Sequence, residues 1–222
     1  MRRGSMSPHG EPFADRGAAG RVLAERLTGH LPDDVVVLGL PRGGVPVAAE
    51  IGKSLGAAVD VLVVRKLGLP WQPELAMGAI GEGGVRLLQP ETIRRTGVTP
   101  EALAAVVSRE SAELKRRAEL FRGDQTRVPL TGRIALIVDD GIATGSSARA
   151  ACLVARAQGA ARVVLAVPVA PFGWLRGLHD VADELIALIT PRELQAIGMW
   201  YSDFSQTSDK EVIACLRSAL RR

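Results

Sequence analysis

The chain has 222 residues, 47% of them hydrophobic and 23% charged, with a formal net charge of +4. This balance fits one core-forming α/β unit and excludes a disordered chain. No apolar run approaches the roughly 20 residues of a membrane-spanning helix, and at 4% the aromatic residues are too few for nucleic-acid stacking platforms. Neither a membrane nor a nucleic acid is therefore expected as a partner. Cys152 and Cys215 lie far apart without CxxC spacing. They read as reduced, packed thiols of a cytoplasmic protein, with no disulfide or zinc site.

Residues 1–12 lack an apolar segment and read as a disordered N-terminal tail; residues 13–222 read as one domain. Residues 16–29 have amphipathic helical spacing, ending near Gly29. Val35–Leu40 reads as a buried strand, followed by a tight turn at Pro41, Arg42, Gly43 and Gly44. A helix from Val45 to Leu55 follows, closed by Gly56. Val59–Val64 reads as a second buried strand that ends at Arg65 and Lys66. Two cations there must sit at the strand end, since neither would be buried unpaired.

Residues 67–130 read as an insertion. It opens with an irregular Gly/Pro-rich stretch, and Ala76–Leu88 then reads as a hairpin around Gly81-Glu82-Gly83-Gly84. A long helix spans Pro100–Arg122, with Glu110, Glu113, Lys115, Arg116 and Arg117 expected on its wet face. Buried strands are expected at Arg162–Val167 and Glu184–Ile189, and a last helix from Asp209. The order of strands and helices, with uncharged strands, predicts an α/β fold. Its sheet is doubly wound and mainly parallel, with a hairpin and long-helix insertion and a small C-terminal hood at 190–222.

The most informative segment is Ile134 to Ser147. Five apolar residues end in Asp139 and Asp140. Gly141, Ile142, Ala143, Thr144 and Gly145 make a turn, and Ser146 and Ser147 open an Ala-rich helix. A buried strand delivers its last residues to the carboxyl edge of a parallel sheet, where open α/β folds bind ligands. Carboxylates there can accept hydrogen bonds from hydroxyls or hold a cation through water. The glycine turn, the hydroxyls and the helix N-terminus make an anion site. The Pro41–Gly44 turn sits equivalently after the first strand, and Arg42 adds a planar guanidinium suited to phosphate.

In order and spacing, residues 134–147 resemble the phosphoribosyl-diphosphate (PRPP) signature of type I phosphoribosyltransferases. Arg42-Gly43-Gly44 resembles the diphosphate loop of xanthine–guanine-type members, where the peptide before the arginine is often cis. Arg65-Lys66 resembles a pair in orotate-type relatives. The stretches 65–84 and 201–209 resemble a less characterised bacterial subgroup.

The resemblance implies transfer of the phosphoribosyl group from PRPP to a nitrogenous base acceptor, with release of diphosphate. Asp139, Asp140, Lys66 and Arg42 would carry the catalysis, the two aspartates on the ribose hydroxyls. Gly141 and Ala143 to Ser147 would hold the 5-phosphate, and Pro41, Arg42, Gly43, Gly44, Arg65 and Lys66 the diphosphate. Mg²⁺ would be held through PRPP and water, with no direct protein ligand. Trp200, Tyr201 and Phe204 in the hood would meet the acceptor, or equally would pin the C-terminal segment to the core. A homodimer is common in the family. The alternative is a non-catalytic PRPP or nucleotide-binding regulator of the same fold.

Overall fold

The structure is a computed structural model and describes residues 12–32 and 34–219. The expected N-terminal tail lies, except for Pro12, outside the described residues. Helix α1 spans Arg16–Leu27 and is capped by the Asp15 side chain, which accepts from the Ala18 N–H at 2.7 Å. The elements β1 (Val35–Gly39), α2 (Gly44–Leu55) and β2 (Ala58–Val61) follow. Next come β3 (Val64–Gly68), β4 (Ala76–Gly81), β5 (Val85–Leu88), α3 (Pro90–Thr96) and α4 (Pro100–Arg122). The second half holds β6 (Ile134–Val138), α5 (Ser146–Ala157), β7 (Arg162–Val169), β8 (Glu184–Ile189) and α6 (Asp209–Ala219).

Five strands form a parallel sheet in the order β2-β1-β6-β7-β8. Strands β1, β6 and β7 are buried on both faces, as a parallel sheet under helices requires, whereas the edge strand β8, expected to be buried, is only half-buried because it has a neighbour on one side. Alternation along β1 divides the core. Val35 and Val37 pack with Leu23, Leu27, Val45 and Ile51 of α1 and α2, whereas Val36 and Leu38 pack with Ala151, Cys152 and Val154 of α5. The sheet is thus doubly wound. The chain moves outward from β1 to β2, then returns to the other side of β1 as β6. The turns leaving β1 and β6 therefore feed helices on opposite faces, which opens a crevice at their carboxyl ends.

The expected strand 59–64 is two strands. Val61 ends β2, and Val64 begins β3, which pairs antiparallel with β4 in a second sheet of order β3-β4-β5. An apolar run reports burial without reporting which sheet it joins, so the sequence concealed the break. Arg65 and Lys66 consequently lie inside β3 and do not close a strand of the parallel sheet. Glu110, expected on the wet face of α4, is buried against Arg65 and does not face water. Strand β7 runs past its expected end, through Pro168 to Val169, because β6 stops pairing at Ala166 and leaves no ladder bond for the missing N–H to break on that side. The short helix α3, with Pro90 at its start and Gly97 (φ +65°) after its end, was not foreseen.

The second sheet packs on α5 so closely that a Cβ at Gly81 would lie 2.7 Å from Val154 Cγ2. A buried ionic cluster ties it to β2 and α4. Arg122 Nε donates to Asp60 Oδ1 at 2.7 Å, its Nη2 donates to the Val61 carbonyl at 2.7 Å, and both Nη atoms bond the Glu82 carboxylate. Asp60 also accepts from the Val61 and Val128 N–H groups. Removing one partner of such a buried set strands the rest without compensation, at about 3–5 kcal/mol. Arg122→Met is expected to lower unfolding free energy by that amount in urea denaturation. A loss below about 1 kcal/mol would show that the cluster does not hold the two sheets together.

Candidate active site

The two turns at the crevice touch. The Leu40 N–H donates to the Val138 carbonyl at 2.8 Å, and the Pro41–Arg42 peptide is cis. A Cβ on Gly43 would overlap the Asp140 carboxylate, 2.6 Å from its Cγ. One on Gly44 would lie 2.8 Å from Asp139 Cα and overlap the Val138 carbonyl oxygen. Gly43 has ordinary helical torsions, φ −63°. Its need for glycine is therefore a matter of close approach and not of backbone freedom.

Beyond Asp139, residues Gly141 to Ala148 and Asp139 itself enclose a cavity of about 160 Å³. Gly145 takes φ +76° and caps α5, so the open N–H groups of the first helical turn, at Ser146 and Ser147, face outward with the exposed Ala143 and Thr144. The Thr144 and Ser146 hydroxyls are 2.7 Å apart. The Ile142 N–H donates to the Val169 carbonyl at 2.8 Å and anchors the turn to the end of β7. Arg149 grips Asp180 through two bonds of 2.7 and 2.6 Å and the Gly177 carbonyl at 2.9 Å, steadying the segment whose Leu178 lies beside Gly145. Open amides at a helix N-terminus, to which no carboxylate of the described residues is hydrogen-bonded, suit a phosphate-sized anion.

The two carboxylates have different surroundings. Asp139 Oδ1 accepts from the Asp140 N–H at 2.9 Å. Burial, and then the neighbouring Asp140 charge, push the Asp139 carboxyl well above the usual carboxylate range. Asp140 Oδ2 accepts from Arg16 Nε at 2.7 Å. Its backbone carbonyl accepts from the Tyr201 hydroxyl at 2.6 Å. The Tyr201 ring is 5% exposed and lies between Phe13 (centroids 5.6 Å apart) and Phe204 (4.9 Å).

The Tyr201 hydroxyl thus ties the C-terminal segment to the Asp140 backbone, and Phe204 packs on the Tyr201 ring. Trp200 is partly exposed and borders, with Met199, Glu193 and Gln195, a separate cavity of about 220 Å³. Arg16 was missed by the sequence reading. It opens an amphipathic helix 124 residues from Asp140, and no local pattern marks it.

The basic candidates divide by their partners. Arg42 Nη1 is 3.8 Å from Asp209 Oδ1, with both side chains partly exposed. Lys66 Nζ donates to the Glu74 carboxylate at 3.1 Å and to its carbonyl at 3.2 Å, and the Glu74 side chain is 93% exposed. Arg65 holds the buried Glu110 through bonds of 2.9 and 2.6 Å. Among the described residues, no hydrogen bond or ion pair ties Arg65 or Lys66 to the two turns.

Fold and site together define an open α/β protein with a glycine turn opening α5 and paired carboxylates at its topological switch point. No family model matches the chain. Two curated Mycobacterium tuberculosis proteins, "Putative phosphoribosyl transferase Rv0571c" of strain H37Rv and "Putative phosphoribosyl transferase MT0597" of strain CDC 1551, are each 58% identical over 209 residues. The match covers 94% of this chain and 47% of each relative, so the chain spans about half the length of the curated relatives it matches. The crystal structure of TT1426 from Thermus thermophilus is 42% identical, covers 93% of this chain and 98% of its own, and superposes with a TM-score of 0.84. Over nearly its whole length the chain is thus similar to proteins named as phosphoribosyl transferases. No described helix is long and apolar enough to cross a membrane.

The raised Asp139 titration has a stability consequence. The folded state holds this proton more tightly than the unfolded state. The resulting stabilisation is complete below the unfolded value, about pH 3.9, and is lost as pH rises through the folded value. Asp139→Asn removes the dependence. Thermal melts from pH 4 to 8 are expected to show the variant gaining on the wild type as pH rises. A constant difference would mean that Asp139 titrates like an exposed aspartate.

Proposed function

We propose that this protein binds PRPP and transfers its phosphoribosyl group to a nitrogen acceptor, a planar base or similar amine, releasing diphosphate. The observation that carries this reading is the contact between the two strand-end turns. One turn supplies adjacent carboxylates and an anion cradle, and the other supplies a Gly-Gly turn with Arg42, directly against the Asp140 carboxylate. A sugar carrying a phosphate at one end and a diphosphate at the other spans such a pair.

In this reading the amides and hydroxyls of Ala143 to Ser147 hold the 5-phosphate, and Asp139 and Asp140 accept hydrogen bonds from the ribose hydroxyls. The Pro41–Gly44 turn and Arg42 receive the diphosphate, whose developing charge they stabilise as the C1–O bond breaks. The leaving diphosphate takes the bonding electron pair, the acceptor nitrogen bonds to C1, and that nitrogen gives its proton to the departing diphosphate. Lys66 can join them, because its pair with the exposed Glu74 is weak and easily exchanged. Arg65 is committed to Glu110 and supports β3 from behind. Trp200 and Phe204 are partly exposed hood rings with surface left for an acceptor, whereas Tyr201 is buried.

No group of three or more His, Cys, Asp or Glu side chains that could cage a metal occurs among the described residues. The donor set fits Mg²⁺ held largely by its ligand and water, with Asp139 and Asp140 reaching it through that water. Bound there, Mg²⁺ would neutralise diphosphate charge.

Isothermal titration of PRPP with and without Mg²⁺ tests the reading. Binding that strengthens with Mg²⁺ is expected. Asp139→Asn combined with Asp140→Asn is expected to weaken it by roughly a hundredfold or more, as loss of two charge-assisted hydrogen bonds implies. Near-UV circular dichroism should stay unchanged. A folded double variant with wild-type PRPP affinity would remove Asp139 and Asp140 from the site.

A further inference from the structure

Arg16 belongs to no motif, yet its side chain is 12% exposed and held three ways. Nε donates to Asp140 Oδ2 at 2.7 Å, Nη1 donates to the Ser205 carbonyl at 2.7 Å, and Cζ lies 4.0 Å from the Phe204 ring centroid. Ordering so long a side chain opposes folding through lost rotamer entropy. Three restraints, one from Asp140 and two from the adjacent Phe204 and Ser205 of the C-terminal segment, mark a group whose position matters.

Counting acceptors shows what that position does. Each ionised carboxylate has two oxygens to offer. Asp139 Oδ1 is taken by the Asp140 N–H, and Asp140 Oδ2 by Arg16. The Asp140 carboxylate is also wedged against Gly43, where any Cβ would overlap it. Asp139 Oδ2 and Asp140 Oδ1 accept no hydrogen bond from the described residues. One open oxygen remains on each of two adjacent carboxylates, the complement of two neighbouring hydroxyl donors.

We propose that Arg16 is a positioning residue: it locks the Asp140 carboxylate so that this residue reads one particular sugar hydroxyl while Asp139 reads the other. The inference rests on the phosphoribosyl reading of the crevice. The Arg16 charge also opposes the upward shift of Asp139, so both carboxylates feel it. Tyr201 and Phe204 enter as the frame that keeps Arg16 in place, which links the hood to the sugar site and not only to the acceptor.

The test uses the full chain with Mg²⁺ and four probes in titration calorimetry: inorganic phosphate, ribose 5-phosphate, and its 2-deoxy and 3-deoxy analogues. Wild-type protein is expected to lose roughly tenfold or more in affinity for each deoxy analogue relative to ribose 5-phosphate. In Arg16→Gln, one of these two losses is expected to shrink to within about threefold while the other persists, with phosphate affinity unchanged. Arg16→Lys, which keeps a cation at Asp140, is expected to recover most of the discrimination. Should Arg16→Gln fail to fold, Phe204→Leu keeps the charge, loosens its platform and is expected to reduce the same loss. Both losses retained in full, or both abolished together, would overturn the proposal, since a merely structural arginine predicts one of those two results. Wild-type protein that binds phosphate but does not distinguish the three sugars would instead overturn the phosphoribosyl reading, and this inference with it.

Discussion

The site depends on how closely the ends of β1 and β6 approach. Parallel neighbours whose crossovers leave to opposite faces must open a crevice between their carboxyl ends. The crevice serves a small ligand only if the two turns stay within reach of each other. Gly43 and Gly44 permit that, because the space a side chain would take is filled by Asp140 and by the backbone of Val138 and Asp139. Shape and charge are thereby coupled: the same contact that brings the turns together fixes one face of the Asp140 carboxylate.

The electrostatics follow from that crowding. Two carboxylates side by side at the edge of a buried sheet repel each other, and burial adds to the penalty, so their environments must differ. Asp140 is hydrogen-bonded to Arg16, whereas among the described residues Asp139 accepts only the Asp140 amide, feels Arg16 at a distance and carries the upward shift. The turn beyond them presents amides and hydroxyls at the start of α5, with Asp139 on its border. Helix-end dipoles favour negative charge at such a turn.

The insertion is joined to the parallel sheet by arginine. Arg122 bridges Asp60, Glu82 and the Val61 carbonyl at once, and outside the parallel sheet Arg65 holds α4 to β3 through Glu110. A planar guanidinium with five donors can satisfy several buried acceptors together, which an ammonium cannot do as well. The chain has only four lysines among 28 basic residues. Of Arg65 and Lys66, Lys66 has the more exposed partner and is the freer to exchange it, and Arg42 has only a 3.8 Å contact with Asp209.

By itself the sequence determined the strands and helices of the parallel sheet and both strand-end turns. Each is written locally: apolar runs of strand length, glycines after helices, a Ser-opened helix after an acidic turn. It also carried the weighed pairing of roles for Tyr201 and Phe204, without deciding between them. Only the tertiary structure decided that β2 and β3 are separate strands in different sheets, that Glu110 is buried, and that Arg16 sits on Asp140. These are long-range facts. Burial and period do not specify which neighbour a residue will meet, and an arginine at the start of an amphipathic helix looks the same whether it faces water or a carboxylate 124 residues away.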